Sequence, residues 1–380
     1  MMHELLMQQA IALSMKARIT APPNPWVGCV ITNNGEVVGE GYTQPPGGSH
    51  AEIKALDQAQ GKAKGATVYV TLEPCAHFGR TPPCSEALIK AQVARIFIGL
   101  EDPDPNVCGQ GIKQLRKAGI EVITGVAAHQ IAESLRPYLH HRKTGRPYCV
   151  GKAAVSLDGR LAAADGTSQW ISSPEARRET HILRAESQAI IIGSGTARAD
   201  HPQLTVRDVL QTPINPPLRV VLDSTGIVPP EGPLFDTKTT PTLLVTTQEC
   251  PQQVKERWRQ FGVEVLVVAK SKDGVGIDLE ELLKHLGKRG VLQALVEGGS
   301  TIFGSFFRSK LLHAFHLDVG ACLLGNQGIP LVKIDKISTL SEAIKLKLNG
   351  VKILGDTVRL TLNLETTVSG LDRSEHADLF

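Results

Sequence analysis

The 380-residue chain is poor in aromatic side chains: Phe, Trp and Tyr together make up 4% of it. A surface that stacks successive bases needs such rings at intervals, so their scarcity argues against a single-stranded nucleic-acid platform. Excess charge is missing too. Lys and Arg number 41 against 38 Asp and Glu, and a net +3 gives nucleic acid or an anionic membrane little to attract. No apolar run reaches the roughly 20 residues that cross a bilayer. The opening MMHELLMQQAIALSMKAR lacks the basic stretch, continuous apolar segment and small-residue cleavage site of an export signal. Seven cysteines, an odd number, then favour a reducing cytoplasm over a disulfide framework, and a Cys75–Cys84 disulfide is disfavoured. What remains, 42% hydrophobic and 21% charged with 36 glycines and 23 prolines, fits a globular chain of two domains with many tight turns.

Periodicity gives the organisation. Met7, Ala10, Ile11, Ser14 and Met15 recur at helical spacing and predict an amphipathic first helix. Residues 26–42 read as a hairpin turning at Asn34-Gly35. HAEIKALDQAQ, SEALIKAQ and GIKQLRKAG then read as helices, alternating with strands ATVYVTL, ARIFIGL and IEVIT. Such alternation predicts a mostly parallel sheet covered on both faces. The cation-rich stretch LRPYLHHRKTGRPY, 135–148, breaks the period and reads as a solvated linker, with a phosphate-attracting patch as the alternative. A second alternation runs from CVGKAAVSL to HAFHLDVGA, and Ser173 before Pro174 predicts a capped helix start within it. The expected division is 1–145 and 146–380.

Three residues suggest a metal. His50 and Cys84 fall at the starts of two predicted helices, and Cys75 follows a strand. One imidazole and two thiolates suit tetrahedral zinc, with the fourth position left for water as a hydrolytic site requires. Helix starts favour thiolate over thiol. Glu52, in the same first turn as His50, can lean toward that ion and carry protons to a ring nitrogen and a departing amine. His-x-Glu followed by Pro-Cys and a second Cys is the pattern of zinc nucleobase deaminases. Here, however, eight residues separate the cysteines, including His77, Arg80 and Thr81. The long loop suggests substrate contact, with Arg80 suited to a phosphate and Asn24, in PNPWVG, to a pyrimidine edge. A closed structural zinc with His77 as fourth ligand is the competing reading.

Two glycine-rich turns, GSGTAR at 193–198 and EGGSTIFGS at 297–305, each follow a predicted strand. The second opens a helix whose free N–H groups can hold a phosphate. Alone they allow a nicotinamide-type phosphate-binding sheet and no more.

PPNPWVGCVI, HAEIKAL, VTLEPCAHFGRTPPC and DPDPNVCGQGI together resemble the deaminase half of the bifunctional deaminase–reductases of riboflavin biosynthesis. GRPYCVGKAAVSLDGRLA, SQWISSPEARRETHILRAES, GSGTARADHPQLTVR and LVEGGSTIFGSFF look like the reductase half. The likeness is weakest at 240–290 and beyond 330. It implies an α/β chain with an N-terminal cytidine-deaminase-like three-layer α/β/α domain and a C-terminal dihydrofolate-reductase-like α/β domain. It further implies zinc on His50, Cys75 and Cys84, with Glu52 as proton shuttle. NADPH, rather than NADH, would contact Ala154, Trp170, Thr196, Asp200, Ser224 and the turn Gly299, Ser300, Thr301, Ile302, Phe303, Gly304 and Ser305. The ribosyl substrate would contact Ser168, Arg184, Leu204, Arg207 and Glu297. Lys152, on the second domain's first strand, is the candidate to polarise or protonate the opening ribose; a strand-end lysine in solvent is its alternative. His201 stands where a more usual acidic residue is expected.

The expected activity is deamination of a diaminopyrimidine ribosylamine phosphate, followed by reduction of its ribosyl group to ribityl. The expected protein is a cytoplasmic homo-oligomer with a small-molecule partner and neither nucleic acid nor membrane. Two rivals remain: a zinc deaminase of nucleotides or nucleic acid whose second domain only binds substrate, and a non-enzymatic zinc- and nucleotide-sensing regulator.

Overall fold

A computed structural model describes residues 2–76, 82–272, 274, 276–334 and 337–364. The first part supplies α1 (Met2–Met15), β1 (Gly28–Asn33), β2 (Glu36–Tyr42), α2 (Ala51–Ala59) and β3 (Thr67–Leu72). It continues with α3 (Cys84–Lys90), β4 (Arg95–Leu100), α4 (Gln110–Lys117), β5 (Glu121–Thr124), α5 (Ala128–Ser134) and α6 (Arg136–Thr144). The strands form one sheet in the order β2-β1-β3-β4-β5. The sheet is less parallel than the alternation predicted. β3, β4 and β5 run parallel, whereas β1 is antiparallel to both neighbours. The Asn34-Gly35 turn, with φ of 51° and 85°, folds β2 straight back on β1.

Glycines set how closely helices approach this sheet. A Cβ at Gly28 would lie 1.8 Å from the Ala10 carbonyl oxygen, so α1 rests directly on that face. Gly41 pairs with Cys29, the residue after Gly28, and therefore faces the other way. There Gly39 and Gly41 admit α2, whose Ala55 and Ala51 carbonyl oxygens would stand 2.1 Å from any Cβ. Three layers result, with Val30, Ile31, Val68, Val70, Ile96 and Ile98 fully buried between them. α1 buries Met7, Ala10, Leu13 and Ser14. Met15 is 40% exposed instead, because the buried stripe turns away from it.

Residues 135–148 are not a solvated linker. Most of them form α6, closed by Gly145 with φ of 67°. Leu135 and Tyr138 join the first core, and the Tyr138 hydroxyl sits 3.0 Å from both carboxylate oxygens of Asp102. Arg142 lies over the Tyr138 ring at 4.7 Å and pairs with Asp104 at 2.8 Å, so the cation-rich composition masks a buried turn.

The remainder supplies β6 (Tyr148–Ser156), β7 (Arg160–Ala162), α7 (Pro174–Ala185), β8 (Ala189–Gly193), α8 (Ser194–Asp200), β9 (Leu218–Leu222), β10 (Thr242–Thr246), α9 (Gln252–Gln260) and β11 (Glu264–Val267). It ends with α10 (Leu279–Lys288), β12 (Gln293–Val296), α11 (Ser300–Arg308), β13 (Ala314–Gly320), β14 (Ile329–Pro330), β15 (Leu346–Leu354) and β16 (Thr357–Leu364). Nine strands order as β11-β10-β9-β8-β12-β6-β13-β16-β15. All pairings from β11 to β13 are parallel, and β16 with β15 adds an antiparallel hairpin. β7 and β14 form a separate ribbon. Strand β8, AIIIG, is a continuous apolar run, because helices cover both faces of the sheet. The Ser173 cap is as predicted, its Oγ accepting the Ala176 N–H at 3.2 Å. Among the described residues no helix is long and apolar enough to cross a membrane.

Candidate active sites

His50 is the N-cap residue of α2, and its side chain makes no capping hydrogen bond, so the imidazole is free to turn toward the cysteines. Its Nδ1 lies 3.5 Å from Cys75 Sγ and 3.3 Å from Cys84 Sγ. Zinc bonds of about 2.05 Å to nitrogen and 2.3 Å to sulfur, at a tetrahedral angle, hold such atoms about 3.5 Å apart. The imidazole nitrogen therefore already stands from both sulfurs at about the spacing zinc imposes, and all three ligand atoms lie within 4.8 Å of one another. Their charges agree. The Cys84 N–H, at the start of α3, donates to Cys75 Sγ at 3.4 Å. Hydrogen bonding from Cys84 lowers the Cys75 pKa, while Cys75 and burial raise that of Cys84. Cys75 also raises His50 to about 9. Cys75 is thus disposed to be a thiolate, while His50 and Cys84 hold protons that a divalent cation displaces. The donor set fits zinc, and both cysteines are free thiols rather than a disulfide.

Glu52 is 3% exposed in the first turn of α2, and burial pushes its carboxyl up to about 7, near where a general acid–base works best. Among the described residues the ligand cluster is His50, Cys75 and Cys84. His77, Arg80 and Thr81 lie outside the described residues. Asn24 is half-buried in the loop ahead of β1.

The second site lies where β6, β8, β9 and β12 end, the side on which parallel sheets bind ligands. A cleft of about 1340 Å³ opens there. That exceeds the roughly 300–1,000 Å³ of a pocket for one small ligand and suits two. Every residue expected of the second domain's site lines it except Gly304. Gly304 packs elsewhere; a Cβ on it would meet the Lys333 carbonyl oxygen at 1.9 Å. The two glycine turns follow adjacent strands and nest together. A Cβ at Gly298 or Gly299 would stand 3.0 or 3.2 Å from Thr196 Oγ1, while Gly195 borders open space. Side chains at these positions would fill a cradle whose backbone is now reachable by a phosphate.

Charged groups divide between wall and mouth. Arg184 Nε and Nη2 donate to the two Glu297 oxygens at 2.5 and 2.6 Å, and Nη1 donates to the Thr205 carbonyl at 3.1 Å. Arg184 is thus committed to the wall rather than free for a phosphate. Burial alone would raise the Glu297 carboxyl, but Arg184 more than compensates and holds it below the usual range. Arg207 is exposed, with Nη1 donating to Gln203 Oε1 at 2.7 Å. Trp170, 68% exposed, lies under the Arg177 guanidinium at 4.3 Å. Leu204 is buried, and His201 ends α8 in the left-handed region at φ 42°. Lys152 is not a strand-end lysine in solvent. It sits within β6, 9% exposed, with Nζ 3.3 Å from Asp318 Oδ2. Burial lowers its pKa, against the opposing pull of Asp318 and Glu297.

Comparison with known proteins matches these two halves. Residues 147–360 match the family described as the RibD C-terminal domain. The chain belongs to the RibD family. Residues 1–100 match the cytidine and deoxycytidylate deaminase zinc-binding region. The riboflavin biosynthesis protein RibD of Chlamydia trachomatis is 45% identical over 93% of this chain and 93% of its own length. The Escherichia coli protein of that name is 40% identical over 95% and 99%. The solved structure of Acinetobacter baumannii RibD, form 2, superposes with a TM-score of 0.86 at 36% identity, covering 95% of this chain and 98% of that one. A Thermotoga maritima diaminohydroxyphosphoribosylaminopyrimidine deaminase/5-amino-6-(5-phosphoribosylamino)uracil reductase gives 0.83 at 30% identity, covering 96% and 99%.

Within this RibD-family chain, sequence reasoning passed over the residues that support the sites. Glu73 is 4% exposed, and its carboxylate accepts backbone N–H groups of Asp102, Gly109 and Ile112. Ser85 Oγ lies 3.1 Å from the Cys75 carbonyl oxygen and 2.7 Å from Gln114 Oε1. In the second sheet Asp318 stands beside Lys152 and is itself held by Arg359. The one available signal was charge inside strand patterns, in HLDVG and TVRLTL.

Proposed function

We propose that this chain catalyses two consecutive steps of riboflavin biosynthesis. It deaminates 2,5-diamino-6-(5-phosphoribosylamino)pyrimidin-4-one at a zinc site and reduces the ribosyl group of the product to ribityl with NADPH. The observation that carries the reading is the His50–Cys75–Cys84 cluster at zinc spacing beside buried Glu52, on the same chain as the double-glycine cleft. We divide the chain into a deaminase domain, 1–145, and a reductase domain, 146–380.

In the first domain His50, Cys75 and Cys84 would hold the zinc, which when bound supplies a Lewis acid that makes water nucleophilic at neutral pH. Glu52 takes a proton from the attacking water and passes it to the ring nitrogen. It then carries a proton to the amine, which leaves as ammonia while the water oxygen becomes the carbonyl. Asn24 and Arg80 are assigned to the pyrimidine edge and the phosphate.

In the second domain the 193–198 turn and Gly299, Ser300, Thr301, Ile302, Phe303 and Ser305 would hold NADPH, together with Ala154, Trp170, Asp200 and Ser224. That cofactor supplies the hydride. Ser168, Leu204, Arg207 and the Arg184–Glu297 pair shape the ribosyl pocket. Lys152 gives its proton to the sugar ring oxygen as the anomeric carbon accepts hydride and the ring opens. Seven free cysteines support a cytoplasmic location. Edge strand β15, with Leu348, Val351 and Ile353 exposed, supports a homo-oligomer.

The test is incubation with the diaminopyrimidine phosphate, with and without NADPH, reading products by mass. Without NADPH an amino group becomes a carbonyl; with it two hydrogens are added. Glu52→Gln slows the first step by about 10²- to 10⁴-fold. A protein purified without zinc, or full deamination by that variant, would sink the deaminase assignment. Failure to oxidise NADPH with the deaminated intermediate would sink the reductase.

A further inference from the structure

Lys152, Asp318 and Arg359 come from three adjacent strands, β6, β13 and β16. Lys152 pairs across from His316, and Asp318, two residues on, stands opposite Arg359. Asp318 is fully buried, Arg359 is 4% exposed and Lys152 9%. Asp318 Oδ1 accepts Arg359 Nε at 2.6 Å, and Oδ2 accepts Nη2 at 2.9 Å. The same Oδ2 stands 3.3 Å from Lys152 Nζ. Arg359 is itself anchored, with Nη2 donating to the Ala176 carbonyl at 3.3 Å and Nη1 3.7 Å from Glu179 Oε2. Of the three, only Lys152 lines the cleft.

A carboxylate that merely fastened β16 to the sheet would be satisfied by the bidentate arginine. The extra contact instead reaches across the sheet to a buried lysine that lines the reductase cleft. We propose that Asp318 is a positioning residue for the reductase: clamped by Arg359, it fixes the Lys152 ammonium at the cleft wall for the sugar of the substrate. The proposal rests on the assignment of Lys152 above. The charged groups facing Lys152 are Asp318 on β13, Glu297 beyond β12, with its partner Arg184, and Arg359 on β16. His316 lies directly across and is held neutral by burial. Asp318 and Glu297 favour the ammonium, whereas Arg359 and burial oppose it.

Two substitutions therefore act in opposite directions. The reaction needs protonated Lys152, so the reductase rate falls on the alkaline side as that proton is lost. Asp318→Asn moves this alkaline limb to lower pH. It also lowers the neutral-pH reductase kcat by about 10- to 100-fold, as misplacing a catalytic group does. Its KM for NADPH and its deaminase rate stay near wild type. Arg359→Gln moves the limb to higher pH. A purely structural role would move neither in this paired fashion. Competitive acetylation of the full chain across pH, read at the Lys152 peptide by mass, should show the same two shifts without substrate or NADPH.

An unmoved limb and an unmoved acetylation midpoint in Asp318→Asn, with reduction abolished in Lys152→Met, overturn the proposal and leave the Lys152 assignment standing. Wild-type reduction by Lys152→Met removes that assignment itself. Should Asp318→Asn lose its reductase melting transition, Arg359→Gln decides alone, and a limb that stays or moves down is the refuting result.

Discussion

Replacing Glu73 should loosen the zinc site without touching a ligand. Its Oε2 accepts the N–H groups of Asp102 and Gly109 at 3.2 and 2.9 Å, and its Oε1 that of Ile112 at 3.1 Å. The carboxylate thereby caps α4, the helix that braces the cysteine loop. A Cβ at Gly111 would stand 2.0 Å from the Pro74 carbonyl oxygen, and Gln114 Nε2 donates to the Ala76 carbonyl at 3.5 Å. Glu73→Gln keeps the shape but turns an amide donor toward at least one of the three N–H groups. One buried unpaired donor costs about 1–3 kcal/mol, so that variant should lose about 2 kcal/mol. Glu73→Ala orphans all three donors and opens a hole, and should lose about 4 kcal/mol or more. Because these groups support the ligand loop, zinc affinity should fall about 10- to 100-fold, the usual effect of losing a metal site's supporting shell. Urea unfolding and competition with a chromophoric chelator measure the two effects, with the reductase rate as internal control. Wild-type stability and zinc affinity in Glu73→Ala would refute the reasoning.

Two further outcomes follow from buried charge. Arg184→Met strands the Glu297 carboxylate and should destabilise the reductase domain by about 3–5 kcal/mol. Calorimetry should show most of that loss recovered in the double variant with Glu297→Met, and no recovery would argue against the pair. Burial holds the Asp102 carboxyl up at about 6, above an unfolded value of about 4. The folded chain binds that proton more tightly, so its stabilising effect is complete below about pH 4 and is lost as pH rises to about 6, by up to about 3 kcal/mol. Melting curves of Asp102→Asn should be flatter than wild type across that window, and parallel curves would contradict the assignment.

Local chemistry decided most of what could be read in advance. His50 and Cys84 were visible because helix starts and turn residues are written in neighbouring positions. So were the two glycine turns and the capped start of α7. The amphipathic face of α1 was legible except at Met15, where the stripe rotates. What escaped depends on partners far along the chain. The helix at 136–144 hides one buried tyrosine whose acceptor is Asp102. Lys152 reads equally well as an exposed lysine until β13 and β16 close over it. The half-antiparallel first sheet follows from how β1 is sandwiched between β2 and β3, which no window of sequence contains.

By itself the sequence offered the candidate zinc ligands and proton carrier, since these need particular side chains beside particular turns, and its family resemblance implied the class of both reactions. Only the tertiary structure decided what steadies them: the three N–H groups on Glu73, the Arg184–Glu297 wall and the shared oxygen of Asp318. Those contacts join strands and loops about 30 to 170 residues apart, and buried charges are stable only where such partners converge.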